Sequence, residues 1–259
     1  MTRLAAERAP KTVRNVHGAL RSCLGNALRQ GYLPTNPAAE IKLPRVRVRE
    51  QQVLTVAELR RVTDAMPTER DRLAVLVLGY CGIRSGELWA LRKKDVDLLG
   101  RRLHVRCGLK EISGQLVFGE TKTHQARAVG LPAFLVDELT GYLDSLPGGA
   151  DALAFPSPKG HPQRHGDWYK KNFKPTVKAA VPEKDELRAH DLRHTCASIL
   201  VQAGANVKHV SKRLGHSSVQ TTLDRYSHLL PDDEDALVAT LEGLHAAAAE
   251  RDNLVALPV

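Results

Sequence analysis

Apolar positions recur at helical spacing along most of the chain and alternate in one stretch only. In 11–30, Val13, Val16, Leu20, Leu24, Ala27 and Leu28 fall at intervals of three and four, the spacing of one helix face, and Gly31 ends the run. Residues 31–44 hold three prolines and read as a turn with a short helix at most. Residues 45–52 are basic and polar with no core position, so they read as a linker or as a segment lying along a phosphate backbone. Thr55 and Glu58 spell a capping box that opens a helix through about Ala65. Thr68 caps a second helix that is apolar on most sides, which predicts a central position. Gly82 breaks it, and Arg84 starts a further helix that turns Leu88 and Leu91 inward.

Between Arg101 and Leu131 the period changes to two. The stretches 101–107, 115–120 and 126–132 read as three short strands. Gly108 and Ser113-Gly114 mark the first turn, and the second turn holds Lys122 at its tip. Helical spacing returns at 132–143, then in a basic helix over 167–180 interrupted near Pro175. Three short helices follow across 190–226, stopped by Gly204 and Gly215, with Ser217 or Ser218 as cap of the third. An acidic start at 231–235 and the apolar positions after it predict an amphipathic helix over about 233–248. The fold class expected is mainly α with a small three-stranded antiparallel sheet (α+β).

Composition narrows the partners. A chain of 259 residues can hold one large domain or two small ones. The net charge of +9 suggests a polyanion, while 4% aromatic residues argue against base stacking as the main binding mode. No apolar run reaches the roughly 18 residues of a membrane span, and residues 1–15 lack the apolar centre of a signal peptide. A cytoplasmic protein is expected. Cys23, Cys81, Cys107 and Cys196 are scattered without a CxxC pair and are expected to be small buried hydrophobes, neither zinc ligands nor disulfides. Neither a metal nor another cofactor is expected.

The stretch from His190 to Tyr226 carries the chemistry. His190 and Arg193 are three apart and share a helix face. His216 sits at the second turn and Tyr226 on the third helix. A tyrosine is a weak nucleophile at neutral pH because its pKa is about 10. Beside cations that also hold a phosphate, its oxygen can attack phosphorus and form a covalent phosphotyrosine. A plain helix-turn-helix DNA-binding unit with a half-buried Tyr226 accounts for the same stretch, but it leaves Arg84 and Lys122 without a role. Glu87, three residues after Arg84, is placed to orient it. Basic residues in the linker (Arg45, Arg47, Arg49) and in the 167–180 helix (Lys170, Lys171, Lys174) are candidates for a phosphate track or simply for solvent.

The order Arg84, Lys122, His190-x-x-Arg193, His216, Tyr226 resembles the catalytic set of the tyrosine recombinases, the phage-integrase family. CGIRSGELWAL is similar to its first-arginine box, GETKTHQARAVGLP to its β-hairpin lysine box, HDLRHTCAS to its His-x-x-Arg box, and LGHSSVQTTLDRYSH to its second-histidine and nucleophile box. The resemblance covers about residues 53–245. It implies a site-specific recombinase that cleaves and rejoins DNA through a 3′-phosphotyrosine, without metal or ATP. Arg84 and Arg193 would clamp the non-bridging oxygens, Lys122 would protonate the leaving 5′ oxygen, His190 would take the tyrosine proton, and His216 would bond the phosphate. It further implies double-stranded DNA as partner, a homo-tetramer on DNA from monomers in solution, and possible accessory DNA-bending or directionality proteins. By the same analogy the helix over 233–248 would dock on a neighbouring subunit. Residues 1–50 then correspond to an incomplete helical core-binding segment and linker, 51–248 to the catalytic domain and 249–259 to a tail. The alternative is a truncated, non-recombining DNA-binding module derived from an integrase; a type IB topoisomerase shares the chemistry but ranks below because the local strings look integrase-like.

Overall fold

The computed structural model describes residues 2–46, 51–120, 126–230 and 234–255; Arg47, Arg49 and Lys122 lie outside them. The chain forms two units, Met1–Glu50 and Gln51–Val259.

The first unit holds helices α1 (Thr2–Glu7) and α2 (Pro10–Arg29). The proline-rich stretch after α2 folds back on it. His17 Nε2 bonds the Ala38 carbonyl at 2.9 Å, the Arg14 guanidinium donates to the Pro44 carbonyl at 3.0 Å, and Asn36 donates to the Arg21 carbonyl. Of the apolar positions read from α2, Val13 is buried, whereas Val16, Leu20 and Leu28 are exposed. Arg45 is exposed at the end of this unit's described residues.

The second unit is built around two buried helices. α3 (Val56–Asp64) opens on the expected capping box: Thr55 accepts from the Glu58 amide, and the Glu58 carboxylate accepts from the Thr55 amide. α4 (Glu69–Cys81) is capped by Thr68 and ends at Gly82 in the left-handed region (φ 64°). Its residues from Leu73 to Gly79 are all buried, and it packs against α3, α6 (Ala133–Ser145) and α9 (Asp191–Gln202). Between them in sequence come α5 (Ser85–Leu88) and five strands: β1 (Val96–Asp97), β2 (Arg102–Val105), β3 (Cys107–Ile112), β4 (Gln115–Glu120) and β5 (Arg127–Gly130).

The class is as expected, but the strands are distributed differently. The three-stranded antiparallel sheet is β1-β2-β5, with Leu103 opposite both Val96 and Val129, while β3 and β4 pair as a separate hairpin. The stretch 115–120 therefore pairs outside that sheet, and Gly108 lies within β3, not in a turn. Two features hid this arrangement. β1 is too short to show alternation, and β3 continues through charged Lys110 and Glu111. The hairpin turn is at Ser113 and Gly114, whose φ values of 49° and 78° suit a glycine and a short polar side chain.

The basic stretch runs as α7 (His165–Trp168), a π-helical turn at Tyr169–Phe173 and α8 (Lys174–Ala180), so Pro175 sits in the first turn of α8 where it needs no amide partner. Lys170, Lys171 and Lys174 are exposed along it. After α9 come α10 (Val207–Leu214), α11 (Gln220–Tyr226) and α12 (Glu234–Val255). α12 runs past residue 248 into the stretch expected as a tail, and Val238, Leu241 and Leu244 on it are exposed. Among the described residues no helix is long and apolar enough to cross a membrane. Cys81 and Cys196 are buried and Cys107 is partly so, but Cys23 is exposed, contrary to expectation.

One contact fixes where α5 sits. A Cβ added at Gly86 would lie 2.6 Å from the Leu109 carbonyl oxygen of β3, an atom that cannot give way without moving the strand. Gly86→Ala is expected to cost about 1–3 kcal/mol, the usual toll of overpacking, read as a lower urea midpoint with an unchanged slope.

Candidate active site

Gly82 and Gly215 place the arginines. After Gly82 turns the end of α4, Arg84 becomes the N-cap of α5, with Glu87 at its third position. The Glu87 carboxylate accepts from the Arg84 amide at 2.8 Å and from its Nη1 at 2.8 Å. Arg84 Nη2 donates to the Gly215 carbonyl at 3.2 Å, where a left-handed turn (φ 67°) closes α10. Arg193, in the first turn of α9, is buried; its Nη1 donates to the Gly82 carbonyl at 2.7 Å, and its Nη2 is buried with no partner among the described residues.

These groups meet at an open cleft of about 1060 Å³. Arg84, Arg193, His190 and His216 all line it, so four of the six residues expected in the catalytic set share one cavity. Burial pushes His216 down to about 4, helped by Arg193, Arg225 and Arg84; its Nδ1 is paired with the Thr222 hydroxyl at 2.9 Å. His190 is lowered for the same reasons, desolvation first and then the neighbouring arginines. Burial and the nearby Arg84 also disfavour the Arg193 charge, although a guanidinium remains protonated at neutral pH.

Tyr226 stands apart from the cleft's lining residues. It is 3% exposed, and its hydroxyl is bonded to His194 Nδ1. Burial pushes the phenol up to about 12. Lys122 lies outside the described residues.

Sequence reasoning missed two groups. The first is Arg127 of β5, which grips Glu87 with both terminal nitrogens (3.0 and 2.7 Å) and donates from Nε to the Arg213 carbonyl at 3.2 Å. Glu87 is thus shared by two arginines, not dedicated to Arg84. Only the alternation that turned Arg127 to one face of β5 hinted at this. The second group is Lys208, Lys212 and Arg225, which line the cleft with Arg127, whereas Lys170, Lys171 and Lys174 do not. The four-residue step from Lys208 to Lys212 on α10 was the available signal. No carboxylate lines the cleft among the described residues.

Fold and cleft together define a class: a mainly helical domain whose cation-lined cleft lies beside a buried tyrosine. The Phage integrase family model matches residues 52–232, and the chain belongs to that family. It is 30% identical over 234 residues to the putative prophage phiRv2 integrase of Mycobacterium tuberculosis, covering 88% of this chain and 61% of that protein. The integrase of Mycobacterium phage L5 is 29% identical, over 81% of this chain and 57% of its own length. The chain therefore spans about three-fifths of the length of these relatives. Among solved structures, the Tn1549 transposon integrase in complex with transposon right end DNA shares the fold, with a TM-score of 0.79 at 22% identity over 93% of this chain and 83% of that one. The XerA recombinase gives a TM-score of 0.57 at 26% identity, over 83% and 71%.

Glu87 supplies a test of the site's framework. Burial raises a carboxyl pKa, but bonds from Arg127 and Arg84 more than offset it and hold Glu87 below its ordinary 4.5. A lowered folded pKa means that its contribution to stability is complete above about pH 4.5 and is lost as pH falls through the lower folded value. Arg127→Ala leaves a buried carboxylate half-paired and is expected to cost about 3–5 kcal/mol. Chemical denaturation followed against pH should show that loss in full at neutral pH and a narrowing gap between the two proteins below about pH 4.5, because without Arg127 the folded pKa of Glu87 rises and its protonation no longer costs stability.

Proposed function

We propose that this chain is the DNA-cleaving and rejoining part of a site-specific tyrosine recombinase. One observation carries the proposal: Arg84 and Arg193, far apart in sequence, converge on a cleft with His190 and His216, and Arg193 has a buried Nη2 without a partner among the described residues, which an anion would satisfy. The relatives' names, integrase and recombinase, support the same activity, and the Tn1549 integrase complex with transposon right end DNA supports DNA as the partner.

In this proposal a phosphodiester enters the cleft and its non-bridging oxygens bind the two guanidiniums. Arginine suits the task because its planar fork offers paired donors to an oxyanion. As Tyr226 Oη attacks phosphorus, negative charge grows on those oxygens and the arginines bind them more tightly than in the ground state. The bond to the 5′ oxygen breaks and the 3′ phosphate stays on the tyrosine. Lys122 would give the leaving oxygen its proton, as the resemblance implies. His190 would help take the phenol's proton as the new bond forms, as the resemblance implies, and His216, oriented through Thr222, would hydrogen-bond the phosphate through Nε2. Reversal by an incoming 5′ hydroxyl rejoins the strand, the phosphotyrosine having preserved the bond energy. Lys208, Lys212 and Arg225 would neutralise phosphates next to the reacting one.

The relatives' greater length leaves room for further DNA contacts, and recombination by a tetramer on DNA belongs to the same proposal. The exposed apolar residues of α12, Val238, Leu241 and Leu244, would then dock on a neighbouring subunit.

Two measurements test the proposal. On a nicked duplex carrying the junction of the element that encodes the chain, the protein should form a covalent adduct that survives denaturation and is lost in Tyr226→Phe. Arg193→Ala should slow adduct formation by about 10²–10³, while binding persists. An absent adduct in the unchanged protein, with DNA binding indifferent to Tyr226→Phe, would favour the non-recombining binding module. Deleting 234–255 should abolish the DNA-bound tetramer, seen by sedimentation, and leave the monomer folded.

A further inference from the structure

The expected set assigns the tyrosine proton to His190, yet the side chain that touches Tyr226 is His194. His194 is four residues after His190 on α9 and is 5% exposed, with its Nδ1 on the Tyr226 hydroxyl. The His194 ring neighbours both others, with centroids 5.0 Å from His190 and 6.0 Å from Tyr226. His190 lines the cleft, and neither His194 nor Tyr226 does. His194 thus connects a residue of the cleft wall to the phenol.

We infer that His194 is a positioning residue that parks the nucleophile: its Nδ1 accepts the phenol's hydrogen bond, holds Tyr226 out of the cleft, and must be given up before the oxygen can reach phosphorus. This inference rests on the function proposed above. Three observations carry it. Leaving a buried hydroxyl unpaired costs free energy, and among the described residues His194 supplies the partner of the Tyr226 hydroxyl. Burial holds His194 near 3 and Tyr226 near 12, so the proton stays on the phenol and the imidazole is a neutral acceptor, protonated on Nε2. Tyr226 is also the last residue of α11, followed directly by the 3-10 turn Ser227–Leu229. Its ring can therefore move at a helix end without breaking a helix interior. The parked phenol is protonated and shielded, which protects stray phosphodiesters from attack.

The test compares the unchanged protein, His194→Phe and His194→Asn without DNA. Phenylalanine fills the space but accepts nothing; asparagine offers Oδ1 near the position of Nδ1. Tyrosine nitration by tetranitromethane is followed by peptide mass. Tyr32, 77% exposed, and Tyr142, 5% exposed, serve as open and buried references. In the unchanged protein Tyr226 should react as slowly as Tyr142. In His194→Phe it should react about tenfold faster or more, the effect of removing a buried hydroxyl's acceptor, with Tyr142 unchanged. His194→Asn should restore protection. Tyr226 nitration that stays slow in His194→Phe overturns the inference, as does a rise shared equally by Tyr142, which marks general loosening. Adduct formation on the junction duplex is the second arm. His194→Phe should form adduct at least as fast as the unchanged protein; a loss beyond tenfold despite selective release of Tyr226 overturns parking in favour of a proton-accepting role. Selective release without adduct from any of the three proteins sustains the parking and fails the strand-cleavage proposal instead.

Discussion

One buried carboxylate ties the site together. Glu87 receives the backbone and side chain of Arg84 and both terminal nitrogens of Arg127. Through Arg84 the network reaches the Gly215 carbonyl, and through Arg127 it reaches the Arg213 carbonyl. A four-residue helix, a sheet edge and the end of α10 are joined at a single anion. An isolated carboxylate in such a place would be expensive, and an isolated arginine nearly so. Each is tolerable because the other is present. The arrangement leaves Arg84 held from behind, with part of its surface facing the cleft.

Arg193 is held differently. Its Nη1 rests on a backbone carbonyl released by the end of α4, and nothing among the described residues answers its Nη2. A native fold seldom leaves a buried donor unpaired without a reason. A bound phosphate oxygen is a chemically apt partner. The two arginines thus combine one that is braced by an internal anion with one that is left short of an acceptor.

Much of this was legible in the residues, and the failures have physical causes. Caps and breakers act locally, so Thr55 with Glu58, Thr68, Gly82 and Gly215 could be read directly, and the structure has each in that role. Periodicity marked α4 as central because it is apolar on most sides. Strand partnership is a long-range property, so 115–120 could be recognised as a strand while its partner could not. The same holds for the side chains. Arg84, His190, Arg193 and His216 carried enough local pattern to be picked out. Arg127 did not, because its importance comes from a carboxylate forty residues earlier in the chain. His194 was hidden by its position directly after Arg193, and only the packing of α11 against α9 gives it a partner.

The crowding of positive charge in the cleft has a consequence for the free protein. Arg84, Arg127, Arg193, Lys208, Lys212 and Arg225 face one another across it, with Glu87 as partial relief. Such repulsion is a standing load on the folded state, which unfolding would release. Dissolved ions screen it over roughly 10 Å at 0.1 M. Added electrolyte should therefore firm up the empty chain, and, on the function proposed above, the same electrolyte would loosen its hold on a nucleic acid, so that the ionic strength best for preserving the protein would not be the one best for its work.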